Sequence, residues 1–132
     1  RQTGLTRFIA VCLLGGYVWL MVAGLAGMLL GGMKSGAVYD LQLHSIFLGF
    51  VITMIFGHAP IIFPAILGSD IRYRAYFYIP LILLHISLIL RLAGENAGYL
   101  GARLWGGLIN VLAVILYFGM IAPIGKKTVG DL

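Results

Sequence analysis

Charge is scarce in this chain. Only 10% of its 132 residues are Asp, Glu, Lys or Arg, whereas a water-soluble domain carries roughly a quarter. That shortage excludes a soluble fold, because too few charges remain to wet a surface. Acidic residues are the rarest, four against nine Lys and Arg, and no two form a catalytic carboxylate pair. The single cysteine, Cys12, rules out a disulfide framework or thiolate cluster within one chain and reads as a small buried hydrophobe. No nucleophile–base arrangement and no glycine-rich phosphate loop is present, so self-contained hydrolytic or transferase chemistry is not expected.

Long apolar runs fill the space that charge leaves empty. The residues are 61% hydrophobic, with a mean hydropathy of +1.05. Phe8 to Met33, Leu41 to Ser69, Ala75 to Leu90 and Leu104 to Gly125 hold almost no charge. A hydrocarbon core about 30 Å thick needs about 20 helical residues, and the shortest run reaches that length if Arg91 snorkels to the interface. The runs do not alternate, which argues against a β-barrel. The expected fold is all-α: an integral membrane four-helix bundle in one transmembrane domain over residues 1–132, with helices at about 5–31, 40–67, 74–92 and 100–124. The first run is too long for a cleavable signal peptide.

The basic residues sit singly at the run boundaries, with no basic face, so nucleic acid is not an expected partner. They read as topology instead. Arg1, Arg7, Arg72, Arg74, Lys126 and Lys127 fall on one side of the bilayer, and Lys34, Arg91 and Arg103 on the other. The positive-inside rule then predicts both termini in the cytoplasm, and the expected location is a bacterial cytoplasmic membrane.

Local signals refine the helices. Ala23, Gly27 and Gly31 form a small-residue seam suited to close packing in lipid. Asp40 reads as the N-cap of the second helix. Pro60 and Pro64 remove two backbone donors, so that helix should kink and its freed carbonyls need a neighbour, water or a ligand. Tyr73, Tyr76 and Tyr78 read as an interfacial aromatic belt, and Asn110 as interhelical glue. Met21, Met28 and Met54 read as core filler, and Tyr17, Trp19 and Tyr117 as lining or interface anchors.

All three histidines, His44, His58 and His85, lie within the expected spans. An ionisable side chain inside a membrane is costly, so the default expectation is functional. His44 and His58 are 14 residues apart, about 40° short of four α-helical turns, and should share a face about 21 Å apart along the axis. Gly49 and Gly57 on that face could admit a flat macrocycle. His58 and His85 should lie at similar depth, the second and third helices splaying beyond the usual 8–10 Å at the proline kink. Neutral imidazole suits haem iron or, as a less favoured choice, copper. Arg72, Arg74 and Arg91 could pair with haem propionates. The alternative is that the histidines only hydrogen-bond to Ser45, Thr53, Ser87, Asn110 or backbone carbonyls.

The run from Leu43 to His58, Leu43-His44-Ser45-Ile46-Phe47-Leu48-Gly49-Phe50-Val51-Ile52-Thr53-Met54-Ile55-Phe56-Gly57-His58, resembles the histidine-bearing helix of the NnrS family. Leu90-Arg91-Leu92-Ala93, Trp105, Tyr117 and Ala122-Pro123-Ile124 are also similar to that family's last helices. NnrS proteins are polytopic haem- and copper-associated membrane proteins distantly similar to the main subunit of haem-copper oxidases. The resemblance spans about residues 40–125 and implies that His44 and His58 contact haem or metal. The family has about twelve spans against four here, which implies that other chains complete any site.

The function expected from these features is a haem-b-binding integral membrane subunit for electron transfer in a respiratory or redox complex. His58 would ligate with His85 or a partner's histidine, and His44 would be a second ligand. The expected partners are the lipid bilayer, other membrane subunits and a quinone. The competing expectations are a cofactor-free structural or assembly subunit and a small proton or solute transporter.

Overall fold

The computed structural model describes residues 2–31, 34–68 and 73–122. Among these residues the chain is helical with no strand, and four helical spans are long and apolar enough to cross a membrane. The first span is α1 (Gln2–Leu30). The second is composite: α2 (Ala37–His44), a π-helical segment (Ser45–Ile52) and α3 (Thr53–Leu67). A 3₁₀ turn (Ala75–Phe77) leads into α4 (Tyr78–Asn96), and α5 (Leu100–Ile121) is the fourth span. The protein is an integral membrane four-helix bundle.

The boundaries differ from expectation for local reasons. Gly36 caps α2, so Asp40 lies inside the first turn and its amide donates to the Gly36 carbonyl at 3.0 Å. α4 runs past residue 92 because Asn96 Nδ2 donates to the Leu92 carbonyl at 2.8 Å and Arg103 pairs with Glu95 at 3.0 Å. Gly98, at φ 66°, then adopts the left-handed conformation that only glycine takes cheaply, so the chain reverses straight into α5. Pro80 sits in the first turn of α4, where no helical partner for its missing N–H exists.

Packing follows from small residues. α4 and α5 form an antiparallel pair in contact at Gly94 and Gly106, where a Cβ would meet Arg103 N at 2.7 Å and Arg91 N at 2.6 Å. α1 packs against the second span, with Gly16 under Met54 and Gly57 under Cys12. In the expected α1 seam, Ala23 is buried and Gly27 faces Gln42, whereas Gly31 meets nothing within 4 Å. Cys12 is fully buried, as a small hydrophobe should be. The core gathers Phe8, Cys12, Phe56, Phe77, Leu81 and Tyr117 from all four spans at one end of the bundle. The outward faces are apolar, as at Leu14, Met28, Leu29 and Ile66, which suits contact with lipid.

Candidate functional site

The two prolines stay inside α3. Pro60 offers no N–H to the Phe56 carbonyl, and the Tyr117 hydroxyl of α5 donates to that carbonyl instead. The Tyr117 ring stacks on Phe56, with centroids 3.8 Å apart. The freed group is thus satisfied by a neighbouring helix. Tyr117 is fully buried.

Histidine geometry is set by each ring's Nδ1. His58 directs Nδ1 at the Met54 carbonyl, one helical turn back, at 2.7 Å. His44 directs Nδ1 at the Asp40 carbonyl at 2.9 Å. A carbonyl accepts only, so both rings carry hydrogen on Nδ1, and in the neutral imidazole the lone pair is then on Nε2, the arrangement of an oriented metal ligand. His85 is the reverse case. Its Nδ1 accepts from Trp19 Nε1–H at 3.0 Å, which places the hydrogen on Nε2. The two rings stack with an interplanar angle of 14°, and a Cβ at Gly15 would stand 3.1 Å from His85 Nε2. His85 therefore packs against α1 and offers no lone pair in this conformation.

His44 and His58 do not share a face. His44 lines a cavity of about 410 Å³ with Arg91 and Asn110, while His58 is exposed beside a groove of about 320 Å³ formed by Met54, Ile55, Ala59, Ile62 and Phe63. The π-helical segment between them is the cause. A chain closing i→i+5 hydrogen bonds turns through less than the about 100° per residue of an α-helix, and eight such residues displace the register. Gly49 and Gly57 turn toward α1, where Trp19 and Cys12 fill the space that a macrocycle would need. The bundle interior thus has no room for haem at those glycines. The outward groove presents one histidine, His58, among apolar side chains.

At the opposite end from the aromatic core lies a charged cluster. Asp40 Oδ1 accepts from Arg91 Nη2 at 3.3 Å and lies 3.2 Å from His44 Nδ1. The Asp40 and Arg91 side chains retain only 21% and 18% exposure. Ser87 Oγ donates to Asn110 Oδ1 at 2.6 Å, joining α4 to α5 as expected of an interhelical asparagine. Among the described residues four buried side-chain atoms have no partner: Asp40 Oδ2, Ser45 Oγ, Arg91 Nε and Asn110 Nδ2. Among the described residues no group of three or more His, Cys, Asp or Glu could hold a metal ion.

The remaining expected site residues are placed as follows. Arg74 is exposed, with its guanidinium 5.8 Å from the Tyr76 ring centroid, and Arg72 lies outside the described residues. Arg91 belongs to the Asp40 cluster, at the far end of the bundle from Arg74. Sequence reasoning treated Asp40 as a cap and missed its role as the counter-ion of Arg91. The signal was present: an acidic residue inside an apolar span, four positions before a histidine.

No curated protein and no solved structure matches the chain. Residues 1–124 match the family described as Domain of unknown function (DUF8744), and the chain belongs to that family.

Proposed function

We propose that this chain is a haem-b-binding membrane subunit for electron transfer within a redox complex, in which His58 would hold the iron together with a residue of a neighbouring chain. The observation that carries it is the His58 ring: Nδ1 tied to the Met54 carbonyl at 2.7 Å, and Nε2 left free beside an apolar, outward-facing groove. An imidazole nitrogen in lipid-facing surroundings is costly unless it binds something, and a fixed tautomer is what iron ligation requires. The likeness of the His44–His58 run to the NnrS helix points the same way. Haem when bound supplies the one-electron chemistry. The protein's part is to orient the imidazole, exclude water with Ile55, Ile62 and Phe63, and dock against its neighbour. The basic residues of the sequence, Arg1, Arg7, Arg72, Arg74, Lys126 and Lys127 against Lys34, Arg91 and Arg103, favour a cytoplasmic placement of both termini.

A reduced-minus-oxidised spectrum of the complex, extracted from haem-replete membranes in mild detergent, tests this. A b-type α-band is expected, lost in His58→Ala and kept in His85→Ala and His44→Ala, with helicity unchanged by circular dichroism. Absence of the band from the native complex overturns haem binding. A band that survives His58→Ala overturns the ligand assignment.

A further inference from the structure

The cavity at the Asp40 end is a second, separate site. It lies between the second span, α4 and α5, and its volume of about 410 Å³ is within the range of small-molecule sites, about 300–1,000 Å³. One end is polar, with His44, Arg91 and Asn110. The rest is apolar, with Leu48 and Ile52 of the second span facing Val111, Val114 and Ile115 of α5. Those helices run in the same direction from the polar end, so the apolar walls continue inward from it along the hydrocarbon. The cavity has the polarity profile of an amphipathic ligand: a polar head at the membrane edge and an apolar tail deeper down.

Orphaned atoms define the head. Asn110 is 3% exposed, and its Oδ1 is held by Ser87 while its Nδ2 has no acceptor. Arg91 keeps Nη2 on Asp40, and Gly107 leaves room beside Nη1, where a Cβ would stand 3.0 Å away, but Nε has no partner. Buried donors without acceptors are rare in native proteins, and here two of them belong to residues of one cavity. They call for acceptor oxygens. Charge decides which kind. Arg91 is already neutralised by Asp40, so an anionic head would bring a second negative charge against an existing ion pair in a low-dielectric setting. A neutral head bearing carbonyl oxygens satisfies the donors without that repulsion.

We infer that this cavity binds the head of a membrane quinone, with Asn110 Nδ2 and Arg91 Nε donating to its carbonyl oxygens and the apolar walls receiving its tail. The inference does not rest on haem at His58, since it uses a different cavity and different residues.

The test is equilibrium binding of a short-tailed ubiquinone to the full chain in lipid nanodiscs, with a long-chain fatty acid as the anionic probe. Saturable quinone binding is expected, weakened about tenfold or more by Asn110→Leu and abolished by Val114→Trp, which fills the apolar part. In the first variant the Ser87 hydroxyl can turn its one hydrogen to the Leu84 carbonyl, 3.0 Å away. His58→Ala should leave quinone binding unchanged. If Asn110→Leu fails to fold, Val114→Trp alone decides. Absence of saturable binding overturns the proposal, as does binding that Val114→Trp leaves intact or binding of the fatty acid in place of the quinone.

Discussion

Replacing Tyr117 with Phe removes one oxygen and nothing else from the buried core. That oxygen is the donor to the Phe56 carbonyl, which has lost its helical partner to Pro60. An unsatisfied buried carbonyl costs about 1–3 kcal/mol in soluble proteins. Interhelical hydrogen bonds in a membrane average about 0.6 kcal/mol, with a maximum near 1.7, because the unfolded chain in lipid also finds partners. Tyr117 is fully buried and the carbonyl's own backbone donor is absent, so the upper part of the membrane range applies, and Tyr117→Phe should cost about 1–1.7 kcal/mol. Pro60→Ala restores the missing N–H, and the carbonyl's second lone pair lets it accept both donors. In that background Tyr117→Phe should cost at most half as much. The assay is equilibrium unfolding in mixed micelles with rising dodecyl sulfate, followed by circular dichroism, for all four members of the cycle. Equal losses with and without Pro60 would refute the claim that proline created the need for the tyrosine.

Two further outcomes follow from the same packing. Gly106→Ala places a Cβ 2.6 Å from Arg91 N, a backbone atom that cannot swing aside, so α4 and α5 must separate at a loss of about 1–3 kcal/mol. Gly119→Ala, with nothing within 4 Å, should be neutral or stabilising by up to about 1 kcal/mol in the same titration, and a similar loss in both would mean that propensity rather than contact governs. ¹⁵N spectra of neutral imidazoles should show hydrogen on Nδ1 for His44 and His58 but on Nε2 for His85. Trp19→Phe should release His85 to a mixture of tautomers, and an unchanged His85 signal would mean that the indole does not set it.

The spans were legible because a bilayer asks for little more than length and apolarity, and Phe8–Met33 or Leu104–Gly125 meet both by inspection. The fate of the proline carbonyls was half legible: Pro60 announces an orphan at Phe56, but the choice of Tyr117, 61 positions later, depends on how α5 rotates against α3. The histidine faces were not legible. An arithmetic of 14 residues at α-helical pitch assumes a uniform helix, and nothing in Ser45–Ile52 declares a π-helical winding. Asp40 was misread for a related reason. Its residue type and position suit a cap, yet the chain begins the helix at Ala37, which carries Asp40 one turn inward to Arg91.

The π-helical segment decides how the second span orients its two histidines. In a regular helix His44 and His58 would share a face, and α1, which covers Gly49 and Gly57 on that helix, would compete with whatever they bound. Displacing the register separates them: His44 goes to the α5 side with Arg91 and Asn110, and His58 to the outer surface. Trp19 then takes the place of a ligand between the helices, wedged over Gly49 and bonded to His85, and fixes α1 against both α4 and the second span. π-Helical turns are retained mostly where function repays their poorer geometry. Here the winding turns one imidazole outward and leaves the other beside a carboxylate, a guanidinium and an amphipathic cavity.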